Sequence, residues 1–148
     1  MNDEQHTGPV VRVNHRFIAA PAECVFDAFL DPAIARRFLF ATPDGTMLRA
    51  EIDARVGGRF CFVERRAQGD AEHHGIYRVI ERPRRLVFSF SIDATEEGDE
   101  VSIEFTPEAT RGCRLQLTQC MRPEWAEYAG RTEAGWTKIL ETLDRVLS

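Results

Sequence analysis

The chain has 148 residues, 43% of them hydrophobic and 29% charged, with a formal net charge of −5. That length suits one domain with its own core, and such a domain buries roughly 68–70% of its unfolded surface without a metal or disulfide. The negative balance disfavours a nucleic-acid or anionic-membrane surface, and the apolar content disfavours disorder.

Residues 1–9 read as a polar, disordered tail, and residues 10–148 as a single domain. Met1 to Pro9 has no apolar stretch that could act as a signal peptide, and no run approaches 18 apolar residues. A cytoplasmic protein without a membrane span is the expectation. Val10 to Ile18 alternates, with Val11, Val13, His15 and Phe17 on one parity, which predicts a half-buried strand. Pro21 then opens a helix with Val25 and Phe29 on one face. Asp31 caps a second short helix that has Pro32 in its first turn and Ile34 and Phe38 as its apolar pair.

From Thr46 the period becomes two. Leu48, Ala50 and Ile52 alternate with Arg49, Glu51 and Asp53, and Gly57-Gly58 makes a turn. Phe60, Phe62 and Glu64 share a parity on the next strand, and Ala67 to Ala71 reads as a hairpin loop. Gly75 to Glu81 places Tyr77 and Val79 on one side, with Ile76, Arg78 and Ile80 on the other. Arg82-Pro83-Arg84 interrupts the ladder, because proline has no N–H to donate. Leu86, Phe88, Phe90 and Ile92 form the following strand, with an acidic turn at Glu96 to Asp99. Val101, Ile103 and Phe105 follow, then a turn at Ala109 to Gly112. Leu115, Leu117, Gln119 and Met121 complete a meander of six antiparallel strands. Trp136, Ile139, Leu140, Leu143 and Leu147 then mark an amphipathic helix of about 16 residues, with Thr132 as its N-cap.

This order predicts an α+β fold in which the long C-terminal helix covers a curved antiparallel sheet. A straight helix cannot touch a curved sheet along its whole length, so a gap is expected between them. Phe60, Phe62, Tyr77, Val79, Phe88, Phe90, Ile103, Leu117, Gln119, Trp136 and Leu140 are its predicted lining. The same aromatic stripe also fits a plain sheet core.

Four segments carry a resemblance: Ile18-Ala-Ala-Pro21-Ala-Glu-Cys-Val-Phe26, Val56-Gly-Gly-Arg-Phe60, Glu81-Arg-Pro83-Arg-Arg-Leu86-Val-Phe88-Ser-Phe90, and Gly135-Trp136 followed by Leu140 and Leu143. In this order the chain resembles the activator of heat shock protein 90 ATPase homologue family, within the START-like (SRPBCC) helix-grip superfamily. The resemblance implies the helix-grip fold and a hydrophobic ligand cavity. It also suggests a chaperone-associated, stress-response role. The co-chaperones similar to this domain carry a further N-terminal domain, for which nine residues before the first strand leave no room. The family often has tryptophan near the end of the second helix, where this chain reads Arg37-Phe38-Leu39-Phe40.

Motifs for chemistry are sparse. G-x-S-x-G, P-loop, H-E-x-x-H and G-x-G-x-x-G patterns are all missing. Cys24, Cys61, Cys113 and Cys120 have no paired spacing and read as free, partly buried thiols, and no metal or cofactor is expected. His73-His74 points to opposite faces of a strand, as a solvated strand start. His15 reads as a satisfied core or edge histidine. Tyr77 and Gln119 are inward polar groups that a ligand could engage, whereas Glu64 reads as solvated near a strand end. Arg36-Arg37, Arg65-Arg66 and Arg82, Arg84 and Arg85 read as solvated turn charges. Three functions follow in order: binding a hydrophobic or amphipathic small molecule, association with a chaperone, and cyclase/aromatase-type catalysis by Tyr77 with Glu64 or His15. A monomer or weak homodimer fits each.

Overall fold

The computed structural model describes residues 8–95, 98–108 and 111–148. Residues 1–7 of the predicted tail, Glu96 and Glu97 of the acidic turn, and Ala109 and Thr110 of the last turn lie outside the described residues. The period-two segments form β1 (Val10–Phe17), β2 (Thr46–Ile52), β3 (Arg59–Arg66), β4 (Gly69–Glu81), β5 (Arg85–Phe90), β6 (Asp99–Pro107) and β7 (Cys113–Cys120). They make one antiparallel sheet in the order β1-β7-β6-β5-β4-β3-β2. Six strands meander, and β1 closes the far edge by pairing with β7 from Val10 opposite Cys120 to Phe17 opposite Cys113.

Helices α1 (Ala22–Ala28) and α2 (Pro32–Ala35) follow β1, and α3 (Ala129–Leu147) ends the chain. Pro21 is the N-cap of α1, and Asp31 caps α2 by accepting from the Ala33 N–H at 3.0 Å. Phe26 and Phe29 of this region meet Phe105 edge-on at 5.2 and 5.9 Å, so the short helices cover the end of β6. Arg82 in the β4–β5 turn holds Asp27 of α1 through two hydrogen bonds of 2.7 and 2.9 Å. Along α3, Trp136, Leu140 and Leu143 are buried against the sheet. His15 of β1 reaches across to α3 and donates to Asp144 at 2.8 Å, as an edge histidine with a partner.

The core is the predicted α+β, helix-grip arrangement, with four local corrections. In β2 the register shifts between Met47 and Arg49. The extra residue, Leu48, is turned outward and exposed, and Met47 packs on the core in its place. In β4 a second shift falls between Tyr77 and Val79. Ile80 therefore joins the core while Val79 pairs with Val87 outside it. A bulge inserts one residue and reverses the facing of those beyond it. The β3–β4 hairpin is also tighter than expected: Arg66 pairs with Gly69, whose φ of +125° only glycine adopts easily. Finally, α3 begins at Ala129 after a 3-10 turn over Pro123–Tyr128, so Thr132 lies inside the helix rather than capping it.

Candidate functional site

Beneath α3 most of the residues predicted to line a gap pack against one another. Phe60, Phe62, Tyr77 and Phe88 lie buried together, with Phe60 between 5.3 and 6.0 Å from the other three rings. Ile103, Leu117, Leu140 and Trp136 close the same core. Phe40 fills its centre, with ring centroids 4.5 Å from His73, 5.0 Å from Phe90 and 5.7 Å from Trp136. Phe40 has a φ of +59°, a left-handed conformation costing of order 1–3 kcal/mol in a residue other than glycine.

Two polar residues hold the Phe40 loop in place. Glu64, 1% exposed, accepts from Thr42 N–H at 2.8 Å, Thr42 Oγ1 at 3.0 Å and Arg66 Nε at 2.7 Å. Arg66 also donates to the Phe40 carbonyl at 3.2 Å. The expectation that Glu64 is solvated is thereby corrected: residues 40–45 fold over the strand end and bury it. Gly45 allows the approach, since a Cβ there would run into the Glu64 carboxyl.

His73 is corrected as well. It is buried rather than solvated, stacked nearly parallel on Phe40 and Phe90, and only His74 faces outward. Burial pushes its imidazole down to about 4, and the nearby Arg66 guanidinium acts in the same direction. An unfolded histidine takes up its proton near 6.5, so the unfolded chain gains a proton that the folded chain refuses until about pH 4. Stability therefore falls as pH drops through this window, by up to about 3 kcal/mol at pH 4. Urea midpoints at pH 7 and pH 4.5 should show that slope in the wild type, and His73→Phe should remove its share.

Open space lies at one end of the sheet. A cavity of about 330 Å³ is bounded by Phe90 at the end of β5 and Ile92 beyond it, Asp99 at the start of β6, Gln119 near the end of β7 and Met121 just past it, and the 3-10 turn leading into α3. Trp125 and Tyr128 from that turn supply aromatic walls, 5.6 Å apart. Arg131 lies over the Tyr128 ring at 5.5 Å, and Arg122 and Thr132 complete the rim. A polar strip crosses this apolar lining. Trp136 Nε1 donates to Gln119 Oε1 at 2.7 Å, and Gln119 Nε2 donates to Asp99 Oδ2 at 2.9 Å. The other Asp99 oxygen lies 4.0 Å from Arg122 Nε.

Of the predicted lining, Phe90 and Gln119 border this cavity and Trp136 stands directly behind Gln119. The remaining members are core, or in the case of Val79 on the other face. Trp125, Tyr128, Asp99, Arg122 and Arg131 escaped the sequence reading. Pro123 followed by aromatics at Trp125 and Tyr128 is a helix-start signal with an i, i+3 pair, and it marks the turn that builds the rim.

The groups proposed for catalysis are not brought together. Glu64 faces Ala71 across the hairpin, and Tyr77 lies six residues further along β4, roughly 20 Å away at 3.3 Å per residue. His15 is on β1, with three strands between it and β4. Burial raises the Tyr77 hydroxyl far above its ordinary value, and the Asp53 charge adds to this. Among the described residues no cluster of three or more His, Cys, Asp or Glu could hold a metal ion, and no helix is long and apolar enough to cross a membrane.

A family model described as Activator of Hsp90 ATPase homolog 1-like protein matches residues 19–148. Among solved structures, an AHSA1-like protein from Aeromonas hydrophila is 26% identical, with a TM-score of 0.78 over 94% of this chain and 92% of that one. A Nitrosomonas europaea protein is 16% identical, with a TM-score of 0.79 over 93% of each chain. A Chromobacterium violaceum protein is 24% identical, with a TM-score of 0.75 over 93% of this chain and 96% of that one. No curated protein matches the chain.

Proposed function

The chain belongs to the Activator of Hsp90 ATPase homolog 1-like family, and from that premise we propose that it binds a small amphipathic molecule in the cavity at the end of the sheet. The observation that carries this reading is the lining itself. Phe90, Met121, Trp125 and Tyr128 offer apolar contact, while Asp99, Gln119, Arg122 and Arg131 offer polar atoms along one side. Mostly apolar walls with a few placed polar groups are the usual profile of a ligand site, and about 330 Å³ is at the small end of the usual range. The eight predicted residues that form the packed core, Phe60 and Leu140 among them, act in this reading as the rigid support of the cavity.

Isothermal titration calorimetry with dodecanoate tests the proposal. One site per chain is expected, and Trp125→Ala should weaken binding by about tenfold or more, as loss of a buried aromatic anchor does. Trp125 is only partly buried, so the variant should keep the wild-type thermal midpoint within a few degrees. Absence of binding, or affinity untouched by the substitution, would sink the reading. The family's description names activation of the Hsp90 ATPase, which favours association with such a chaperone as a second reading. The chaperone's ATPase rate with and without this protein tests that one.

A further inference from the structure

The outer face of the sheet holds a cluster of reactive side chains around a pocket that shares no lining residue with the Trp125 cavity. Cys61 on β3 and His74 on β4 are directly opposed, and Glu51 on β2 is opposed to Cys61 from the other side. Directly opposed residues of an antiparallel pair project to the same face, with Cβ atoms about 4.5–5.5 Å apart. A thiol and an imidazole therefore stand side by side. They border a pocket of about 280 Å³ that Glu51, Arg59, Phe60 and Ala94 also line. Glu72, two residues before His74 and so on the same face, meets His74 Nε2 at 2.9 Å. A carboxylate can only accept, so Nε2 carries the proton of that bond, and Nδ1 is the ring nitrogen left to act as a base. Arg59, two residues before Cys61, places a cation on that face. A base and a nearby cation favour the thiolate form of a cysteine, and they act here against the Glu51 carboxylate opposite Cys61.

We propose that Cys61 is a nucleophilic thiol, with His74 as its base and Glu72 as the positioning residue of that base, which captures small α,β-unsaturated carbonyl compounds. The Cys61 proton passes to His74 Nδ1 as sulfur bonds to the β-carbon. The π electrons move toward the carbonyl oxygen, and Arg59 offers charge for that oxygen. The proton on His74 then returns to the α-carbon. The product is a saturated thioether, formed with no leaving group and no change of oxidation state beyond the addition.

N-ethylmaleimide, an α,β-unsaturated imide, is the probe, with the labelling rate of each cysteine read by peptide mass spectrometry on the folded protein. Cys24 is exposed and serves as the reference within the same molecule. Cys113 is buried, and burial pushes its thiol up to about 11, so its protection reports an intact fold. At pH 7 Cys61 should label about tenfold faster than Cys24 although it is only half-exposed. His74→Asn should slow Cys61 by about tenfold and Glu72→Gln by about threefold, with Cys24 unchanged. The proposal is overturned if wild-type Cys61 labels no faster than Cys24, or if both variants keep the wild-type rate while Cys113 stays protected. Should either variant expose Cys113, the wild-type rates decide alone.

Discussion

Trp136→Ala is expected to destabilise the protein by about 3–5 kcal/mol, the usual range for truncating a buried tryptophan. Trp136 is 3% exposed, and its indole lies edge-on to Phe40 at 5.7 Å and Phe90 at 6.4 Å. Alanine would leave a void that the packed core can fill only partly. The substitution also removes the donor to Gln119 Oε1, a buried acceptor at 2.7 Å. Trp136→Phe separates the two effects, since it keeps most of the ring volume and loses only the N–H. Its cost should be about 1–3 kcal/mol. Urea denaturation measures both, and at about 2–4 °C per kcal/mol the alanine variant should melt roughly 10 °C lower. A cost below about 1 kcal/mol would mean that Trp136 does not anchor α3 to the sheet. Gln119 and Asp99 border the cavity, so dodecanoate affinity should fall in the same variants.

The architecture was legible because strand alternation and helical spacing are written directly in the side chains. Val101, Ile103 and Phe105, and Leu115, Leu117 and Gln119, face inward as their parity requires. Errors arose where a single residue breaks the period. Leu48 and the Tyr77–Val79 step are bulges, and the alternation on either side of each reads normally by itself. Nothing in an HPHP pattern marks the extra residue. Thr132 failed as a cap for a related reason: the chain enters α3 through a 3-10 turn opened by Pro123, which competes with a threonine signal further on.

The site was harder to read than the fold. Parity identifies which side chains face inward, and it is silent on whether the space between them is full. Phe40 decides that, because its left-handed backbone swings a ring into the centre of the sheet. The cavity at the end of the sheet takes Phe90, Asp99 and Gln119 from strand ends. Its other walls come from the turn before α3 and the residues after β5 and β7, which have no period. Burial of Glu64 and His73 depends on the same loop folding over β3 and β4, a contact between residues more than twenty apart in sequence.

Glu64→Ala should expose how much depends on that loop. The Glu64 carboxylate pairs with Arg66 and caps the Thr42 N–H and hydroxyl, and its removal leaves all three donors without their acceptor. Breaking a buried ion pair by deleting one partner costs about 3–5 kcal/mol. The Arg66 side chain is 31% exposed and can turn toward water, which places the expectation near the lower figure. Glu64→Gln keeps the volume and one acceptor oxygen, yet turns an NH2 group toward existing donors, so an intermediate loss is expected. Gly45→Ala probes the latch without touching the carboxylate, since its Cβ would collide with the Glu64 carboxyl. Each change loosens the restraint on Phe40, whose left-handed backbone then relaxes, and the Phe90 wall of the cavity loses its backing ring. Thermal melts and dodecanoate titration should therefore move together across the three variants. If Glu64→Ala melts within about 0.5 kcal/mol of wild type, the carboxylate is a bystander and Phe40 is held by packing alone.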